Sequence, residues 1–376
     1  MTETVVMTAA HLKVSCPRDK LASKLGVVAR GVSTRSAVQI LSGVMLRAEG
    51  GLLELAATDM ELSLRTSLEA SIEGGGAVVV PGRLLVDLTR LLPEGDVLIE
   101  YRAEESILRV TCGSAHYQLN TYSAEDFPRL PEIGAVQMHA IDADALLETI
   151  ARVSRAASRD DSRPVLTGIF VRFAGGKLVM AATDSYRLSV KETPLEGVAP
   201  DLEAIIPARA LEELRRVVEP GAKLELGVHE NQVVFGADGI WLTTRRIDGQ
   251  FPSYESLVPD TFEHEVSLPR EELLDVVRRT AVMAQRNSPV RLRFAEGELT
   301  VSAQTQDVGE SCETLPAPFT GEPLEIGFNA EFLRDGIESV TDDTVRLKLI
   351  NPLRPGLIMG AAEDFWYLIM PIRLAG

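Results

Sequence analysis

Catalysis needs a nucleophile, a paired acid and base, or a set of metal ligands, and few residues of this 376-residue chain can supply them. The five histidines, His11, His116, His139, His229 and His264, have no partner at metal-site or triad spacing. Cys16, Cys112 and Cys312 are too few for a disulfide framework and lie at no finger spacing, so they read as reduced structural thiols. Ala174-Gly175-Gly176-Lys177 is read as a hairpin turn, because a phosphate loop would run into a helix and no helix follows. Gly74-Gly75-Gly76 is read as a loop. Asp59, Asp184 and Asp307 are the most regular acidic positions, at offsets of 125 and 123 residues. One aspartate per offset is what repeated structure predicts, not a catalytic cluster. No catalytic residue, metal or cofactor is expected.

The elements around those aspartates repeat with them. Gly-Val-Met-Leu-Arg-Ala-Glu-Gly-Gly-Leu-Leu-Glu-Leu-Ala-Ala-Thr-Asp (Gly43 to Asp59) returns as Gly-Ile-Phe-Val-Arg-Phe-Ala-Gly-Gly-Lys-Leu-Val-Met-Ala-Ala-Thr-Asp (Gly168 to Asp184), and a weaker copy runs from Pro289 to Asp307. Val-Val-Val-Pro-Gly-Arg-Leu-Leu (Val78 to Leu85) answers to Ala204–Leu211 and, more loosely, to Gly327–Leu333. Asp-Phe-Pro-Arg-Leu-Pro (Asp126 to Pro131) answers to Gln-Phe-Pro-Ser-Tyr (Gln250 to Tyr254). Blocks recurring in one order at one offset predict three copies of a domain-sized fold. The expected domains are 1–135, 136–260 and 261–376, with Met1 to about Thr8 a disordered lead-in that has no counterpart.

Within a copy, a short apolar strand leads to a helix. Pro17 suits a first helical position, and Leu21, Leu25 and Val28 form the apolar stripe behind it. Leu146, Leu147, Ile150 and Val153 serve the second copy, and Leu273, Val276, Val277 and Thr280 the third. A second helix follows each Val78-type block, with Leu84, Leu88 and Leu91 or Leu211, Leu214 and Val218. Alternating runs between glycine and acidic turns fill the rest. The fold class is therefore α+β, two amphipathic helices packed on antiparallel sheet in each of three repeated domains.

A hydrophobic share of 45% with 25% charged residues is that of a soluble globular chain, and no apolar run is long enough to span a membrane. With no secretory signal, a cytoplasmic location is expected. The net charge of −17 argues against a nucleic-acid binder unless the positive charge is segregated. The helices supply that segregation. Arg152, Arg155, Arg159 and Arg163 would share one face if their helix runs that far, and Lys20, Lys24, Arg30 and Arg35 follow the first copy's helix. Arg278, Arg279 and Arg286 belong to the third copy. The second helices add Arg83, Arg90, Arg209, Arg215, Arg216 and Arg334.

These features resemble the bacterial sliding clamp, the β subunit of DNA polymerase III. The resemblance is carried by Gln39-Ile40-Leu41-Ser42-Gly43, Ala182-Thr183-Asp184-Ser185-Tyr186-Arg187-Leu188, Asp248-Gly249-Gln250-Phe251-Pro252-Ser253-Tyr254 and the terminal Tyr367-Leu368-Ile369-Met370-Pro371-Ile372-Arg373-Leu374. It implies three clamp domains per chain and a ring-shaped head-to-tail dimer of six domains that encircles double-stranded DNA and tethers the polymerase. Helix arithmetic is compatible with that ring. Twelve helices at ~9 Å spacing make a circle of roughly 34 Å diameter, leaving a hole of ~24 Å once one ~10 Å helix diameter is removed. A duplex is about 20 Å across, whereas the six helices of a single chain would leave only ~7 Å.

On this reading Lys20, Lys24, Arg35, Arg83, Arg152, Arg155, Arg163 and Arg209 face phosphate without reading base sequence, and Arg35, Arg83 and Arg209 match family positions that touch DNA. The resemblance also implies a hydrophobic peptide-binding pocket comprising Leu166, Thr183, Ser185, Tyr186, Arg187, Leu188, Pro252, Leu257, Leu368, Ile369, Met370, Pro371, Ile372 and Arg373. There, Arg187 or Arg373 would meet polar groups of the peptide. Ser185-Tyr186 stands where the best-known members have Gly-His, and Ser256 where they have arginine, which implies altered pocket detail. Tyr117, Leu119, Val282 and Met283 match the family's apolar dimer contact. Implied partners are the DNA polymerase III α subunit, a separate ATP-driven clamp loader, and other polymerases and repair proteins bearing short linear motifs. The competing readings are an enzyme, which lacks a catalytic constellation, and a monomeric three-domain scaffold, which leaves the basic helix faces without a purpose.

Overall fold

Each repeat opens with a strand that runs directly into a helix, and the sequence at that junction explains why. Leu12, Val14 and Cys16 alternate into the core, Pro17 sits at the helix cap with φ −60°, and Leu21, Leu25 and Val28 then bury one helical stripe. Pro81 and Pro269 cap their helices in the same way. Asn329 replaces proline in the third copy, and its side chain accepts a hydrogen bond from the Phe332 N–H at 3.1 Å.

A computed structural model of the chain describes residues 11–33, 37–131, 137–195, 201–284, 288–306 and 308–374. The lead-in expected over residues 1–8, and also Arg35, Arg286 and Asp307, lie outside the described residues.

The first copy comprises β1 (His11–Pro17), α1 (Arg18–Val28), β2 (Gly43–Glu49), β3 (Leu52–Thr58), β4 (Leu62–Glu69), β5 (Ser71–Gly74), β6 (Gly76–Pro81), α2 (Gly82–Leu91), β7 (Asp96–Arg102), β8 (Ile107–Cys112) and β9 (Ala115–Asn120). The second comprises β10 (Met138–Asp142), α3 (Ala143–Val153), α4 (Pro164–Thr167), β11 (Gly168–Ala174), β12 (Lys177–Thr183), β13 (Arg187–Pro194), β14 (Glu203–Pro207), α5 (Ala208–Val217), β15 (Lys223–His229), β16 (Gln232–Ala237) and β17 (Ile240–Arg245). The third comprises β18 (His264–Pro269), α6 (Arg270–Ala281), β19 (Val290–Ala295), β20 (Glu298–Thr305), β21 (Gly309–Pro316), β22 (Leu324–Phe328), α7 (Ala330–Glu338), β23 (Thr344–Leu349), β24 (Gly356–Met359) and β25 (Phe365–Ile369).

The glycines of the repeated block have specific tasks. Gly50-Gly51 and Gly175-Gly176 all take positive φ, between 59° and 82°, the backbone of a two-residue hairpin turn whose twist matches its strands. A Cβ on Gly43 would lie 2.4 Å from the Val79 side chain, and one on Gly168 would lie 2.3 Å from that of Ile205. Only glycine lets these strand starts approach their partners.

Strands pair across the repeat boundaries. Four sheets run in the orders β5-β1-β7-β8-β9, β10-β15-β16-β17-β4-β3-β2-β6, β14-β11-β12-β13-β25-β24-β23-β18 and β21-β20-β19-β22. Antiparallel pairing of β17 with β4 joins second-copy strands to the first copy, and β13 with β25 joins the second copy to the third. Compact units therefore do not follow the repeats. One unit is Met1–Ala143 with Arg216–Arg246, and the other is Asp144–Arg215 with Ile247–Gly376. In the first, α1 and α2 pack side by side, with α1 over β3 and β4. In the second, α6 packs beside α7, with α6 on β20 and β21 and α7 on β25.

The long arginine-bearing helix does not form. The α3 helix ends at Val153, a single 3-10 turn covers Ser154–Ala156, and the chain then leaves helical geometry. Side chains win over backbone pairing here, because Ser158 Oγ accepts from the Asp160 N–H and Asp160 Oδ1 from the Ser162 N–H. Pro164 then opens α4, keeping Arg163 out of the helical region. Arg152, Arg155, Arg159 and Arg163 thus do not form one stripe.

Candidate functional site

The recurring aspartates are turn acceptors. In the first copy Asp59 Oδ1 accepts from the N–H groups of Glu61 (3.1 Å) and Leu62 (2.8 Å). Thr58 Oγ1 donates to the Leu62 carbonyl and accepts from the Met60 N–H. In the second, Asp184 Oδ1 accepts from Tyr186 (2.9 Å) and Arg187 (3.0 Å), while Thr183 Oγ1 donates to the Arg187 carbonyl and accepts from the Ser185 N–H. Met60 and Ser185 both sit at φ 80°, which a side chain tolerates poorly. One Thr-Asp turn has been used twice.

The second turn carries an addition. Arg187, 6% exposed, donates from Nε to Asp184 Oδ2 (3.0 Å) and from Nη1 to Asp335 Oδ2 (2.6 Å), with its guanidinium 4.2 Å from the Phe332 ring centre. Burial alone would lower its affinity for the proton, but Tyr367, Asp335 and Asp184 more than offset this, so the cation is held firmly. Burial raises the Tyr367 phenol well above its ordinary range despite Arg187, and its hydroxyl donates to the Phe332 carbonyl at 3.0 Å. Arg187 is therefore committed inside the unit. Of the two arginines expected to meet polar groups of a bound peptide, Arg187 is thus engaged internally and Arg373 is exposed.

Beyond the turn lies an apolar face. Leu188 and Val190 of β13, Leu368 of β25, Phe251 and Tyr254 form one cluster, with Phe170 stacked 5.5 Å from Phe251. At its rim Tyr186 is 61% exposed, Leu257 50% and Met370 43%, and Pro252 is exposed too. The Tyr186 carbonyl accepts from the Met370 N–H at 2.9 Å, so the turn and the chain end after β25 meet. Of the residues expected at a peptide pocket, Leu188 and Leu368 lie in this cluster, while Ser185, Tyr186, Pro252, Leu257 and Met370 are exposed. Thr183 is buried within the turn, Ile369 pairs with Arg187 and is buried, and the Ile372 N–H donates to the Gly327 carbonyl. Leu166 is 9% exposed on α4, Pro371 is half-buried, and Arg373 is exposed on the terminal segment.

Strand register shows how the matching face of the first copy differs. By their partners on β17 and β25, Ser63 occupies the place of Leu188, Arg65 that of Val190 and Thr243 that of Leu368. Arg245, whose N–H donates to the Glu61 carbonyl, occupies that of Met370, whose N–H donates to the Tyr186 carbonyl. Only the tryptophan is kept, Trp241 for Trp366. With Ser, Arg and Thr in those places, the first copy keeps only the smaller apolar cluster of Met45, Ala56, Val79 and Phe127.

The basic residues divide into three groups. Lys20 and Arg83 are exposed and Lys24 half-buried on α1 and α2, and Arg209 is exposed on α5. Arg155 is drawn to carboxylates, bonded to Glu338 and 3.7 Å from Asp335. The third group corrects the sequence reading. Arg152 is 6% exposed, donates from Nε to the Ser339 carbonyl (2.8 Å) and stacks 4.1 Å from the Phe365 ring centre, so it cannot face phosphate. Arg163 donates to Ser185 Oγ at 3.1 Å and pairs with Asp160, which puts it at the cleft rim. Pro164, immediately after it, was the signal that could have placed it there. Arg30, Arg90 and Arg216 converge with Ser23 and Gly26 on an open recess of ≈ 400 Å³, a grouping that spacing within any one helix does not reveal.

At the sheet ends, β9 and β21 each pair on one side among the described residues. On β9 Tyr117 is 44% exposed and Leu119 7%, and after α6 Val282 is 69% exposed and Met283 half-buried. Among the described residues no group of three or more His, Cys, Asp or Glu side chains converges as a metal site. Among them, too, no helix is long and apolar enough to cross a membrane.

The chain matches known proteins along nearly its whole length. It matches the DNA polymerase III beta subunit N-terminal domain over residues 12–131, the central domain over 140–253 and the C-terminal domain over 255–373. It is 34% identical to the beta sliding clamp of Streptomyces coelicolor, across 97% of this chain and 100% of that protein. The crystal structure of the Bacillus subtilis DNA polymerase sliding clamp superposes with a TM-score of 0.90 at 26% identity, covering 97% of this chain and 100% of that one. The Bartonella birtlesii sliding clamp, solved bound to griselimycin, superposes with a TM-score of 0.88 at 29% identity over 97% of this chain and 100% of its own. Three clamp domains of α+β architecture and these matches together establish that the chain belongs to the DNA polymerase III β-subunit family, the sliding clamps.

Proposed function

We propose that two copies of this chain close head to tail into a ring around duplex DNA and act as a processivity factor without catalysis of their own. The observation that carries the ring is a strand pairing made twice and, among the described residues, left open once. β17 pairs with β4, and β25 pairs with β13, each joining one copy to the next. By position in the repeat, β9 is the counterpart of β17 and β25, and β21 is the counterpart of β4 and β13. An unpaired edge strand is a template for another chain. The remaining junction is then made between molecules, β9 of one chain against β21 of its partner, and repeated twice it closes a ring. Tyr117, Leu119, Val282 and Met283 supply its apolar contact. The three domains are 1–135, 136–260 and 261–376.

Lys20, Lys24, Arg83 and Arg209 are the residues we assign to phosphate, with Arg35 from the family match and the Arg30, Arg90 and Arg216 recess beside α1 and α2. Contacts of this kind hold DNA without reading bases and weaken with salt, which suits sliding. The cleft at Tyr186, Leu188, Leu257, Leu368 and Met370 takes short linear motifs of the polymerase III α subunit, the clamp loader, and other polymerases and repair proteins in the cytoplasm. Griselimycin, which the Bartonella clamp binds, is assigned to the same cleft.

Sedimentation at micromolar concentration tests the ring. A species near twice the 40.9 kDa of one chain is expected, and Tyr117→Asp with Val282→Asp should return it to one chain. A parent that stays at 40.9 kDa would refute the closed dimer.

A further inference from the structure

We propose that Asp335 is a positioning residue of the cleft. From α7 it fixes the Arg187 guanidinium, and through it the 183–187 turn that presents Ser185 and Tyr186 and receives Met370. The inference rests on the cleft assigned above and adds to it a residue that touches no ligand.

The two copies of the turn make the case. In the first copy the same Thr and Asp hydrogen bonds close the turn with Leu62 in the place of Arg187. Arg187 is therefore not required to form the turn. A leucine would also be the cheaper residue to bury, since sequestering a guanidinium with two carboxylates adds little to stability and leaves unpaired charge when broken. What the ion cluster does supply is fixed geometry. Asp335 Oδ2 meets Arg187 Nη1 at 2.6 Å, Asp184 Oδ2 meets Nε at 3.0 Å, and the Phe332 ring lies under the guanidinium. The plane of the guanidinium is thus held on two edges and one face.

Asp335 is itself held. Its Oδ1 accepts from Arg334 at 3.2 Å and lies 3.7 Å from Arg155. On the output side, the turn holds Ser185 at φ 80°, as the first copy holds Met60, so what the ion cluster adds is the placement of the turn against α7. Arg163 grips the Ser185 hydroxyl and Met370 the Tyr186 carbonyl, so movement of the turn moves the cleft rim.

The test is griselimycin affinity of the full-length chain by calorimetry, with melting temperature measured alongside. Asp335→Asn keeps size and removes charge, and it is expected to weaken binding about tenfold. In a Tyr186→Ala background the same change should cost less than about twofold, because the element being positioned is gone. An unaltered tenfold loss in that background would mean general destabilisation and overturn the proposal, as would parental affinity in the single variant. If the single variant does not fold, Arg187→Met with Asp335→Asn leaves that pair without charge and should fold and bind as weakly. Parental binding by that pair again overturns the proposal. Leu188→Ala separates the two layers. If it loses griselimycin while Asp335→Asn does not, only the positioning role fails. If neither the parent nor the Leu188→Ala protein binds, or both bind equally, the cleft assignment fails and this inference with it.

Discussion

Truncating Tyr186 to alanine should weaken binding at the cleft while leaving the fold nearly as stable. The ring is 61% exposed, so most of its surface is available to a ligand. With ~200 Å² for an aromatic side chain, about 120 Å² stands open. At ~25 cal/mol per Å², covering all of it is worth ~3 kcal/mol and covering one face about half, or roughly tenfold in Kd. The backbone links of this residue, its N–H to Asp184 Oδ1 and its carbonyl to the Met370 N–H, do not use the ring. The melting temperature should therefore fall by less than about 3 °C. Calorimetric titration with griselimycin reads the first quantity and differential scanning fluorimetry the second. Affinity within about twofold of the parent would refute the reasoning, since an exposed ring at a working rim must be covered when the ligand arrives.

Three further outcomes follow from the geometry. Arg152→Met leaves the Ser339 carbonyl without its donor and should cost about 1–3 kcal/mol of stability while leaving the salt dependence of DNA retention unchanged, whereas Lys20→Gln with Arg83→Gln should flatten that dependence and spare the melting temperature. Burial, aided by Asp96, pushes the Cys16 thiol up to about 11, so at pH 8 only about 0.1% is thiolate. Iodoacetamide should accordingly spare buried Cys16 and Cys112 in native protein and label both in denaturant, as counted by mass spectrometry. Glu338 would be raised by burial, but hydrogen bonds from Arg278 and Arg155 prevail and hold it below its ordinary 4.5. A carboxyl depressed in the folded state stabilises above pH 4.5 and loses that contribution as pH falls through its folded value. The gap in melting temperature between the parent and Glu338→Gln should thus be widest above pH 4.5 and close below it.

The repeat was legible because turns and close approaches are written in residue type. Gly50-Gly51 and Gly175-Gly176 announce a hairpin, and the Thr-Asp pairs at 58–59 and 183–184 announce a turn. The cleft was legible through family resemblance, since the Leu188 and Leu368 pattern alone reads as an ordinary buried strand. Spacing alone does not fix helix length. Arg152 to Arg163 would share one face only in a continuous helix, but the Ser158 and Asp160 side chains accept from nearby backbone N–H groups, and Pro164 disfavours continuation. Strand pairing across copies left no trace either, because β4 alternates while β13 is buried almost throughout, and neither pattern names its neighbour. Charge partners were likewise hidden. Arg187 and Asp335 are 148 residues apart in the chain and 2.6 Å apart in space.

The central claim is that the chain encloses DNA, and topology tests it directly. Protein placed on a nicked circular plasmid by a clamp loader, then passed through a sizing column in high salt, should stay with the circle and leave when a restriction enzyme cuts it. Equal loss from circular and linear DNA would contradict the ring, and with it the assignment of β9 and β21 as its closing strands.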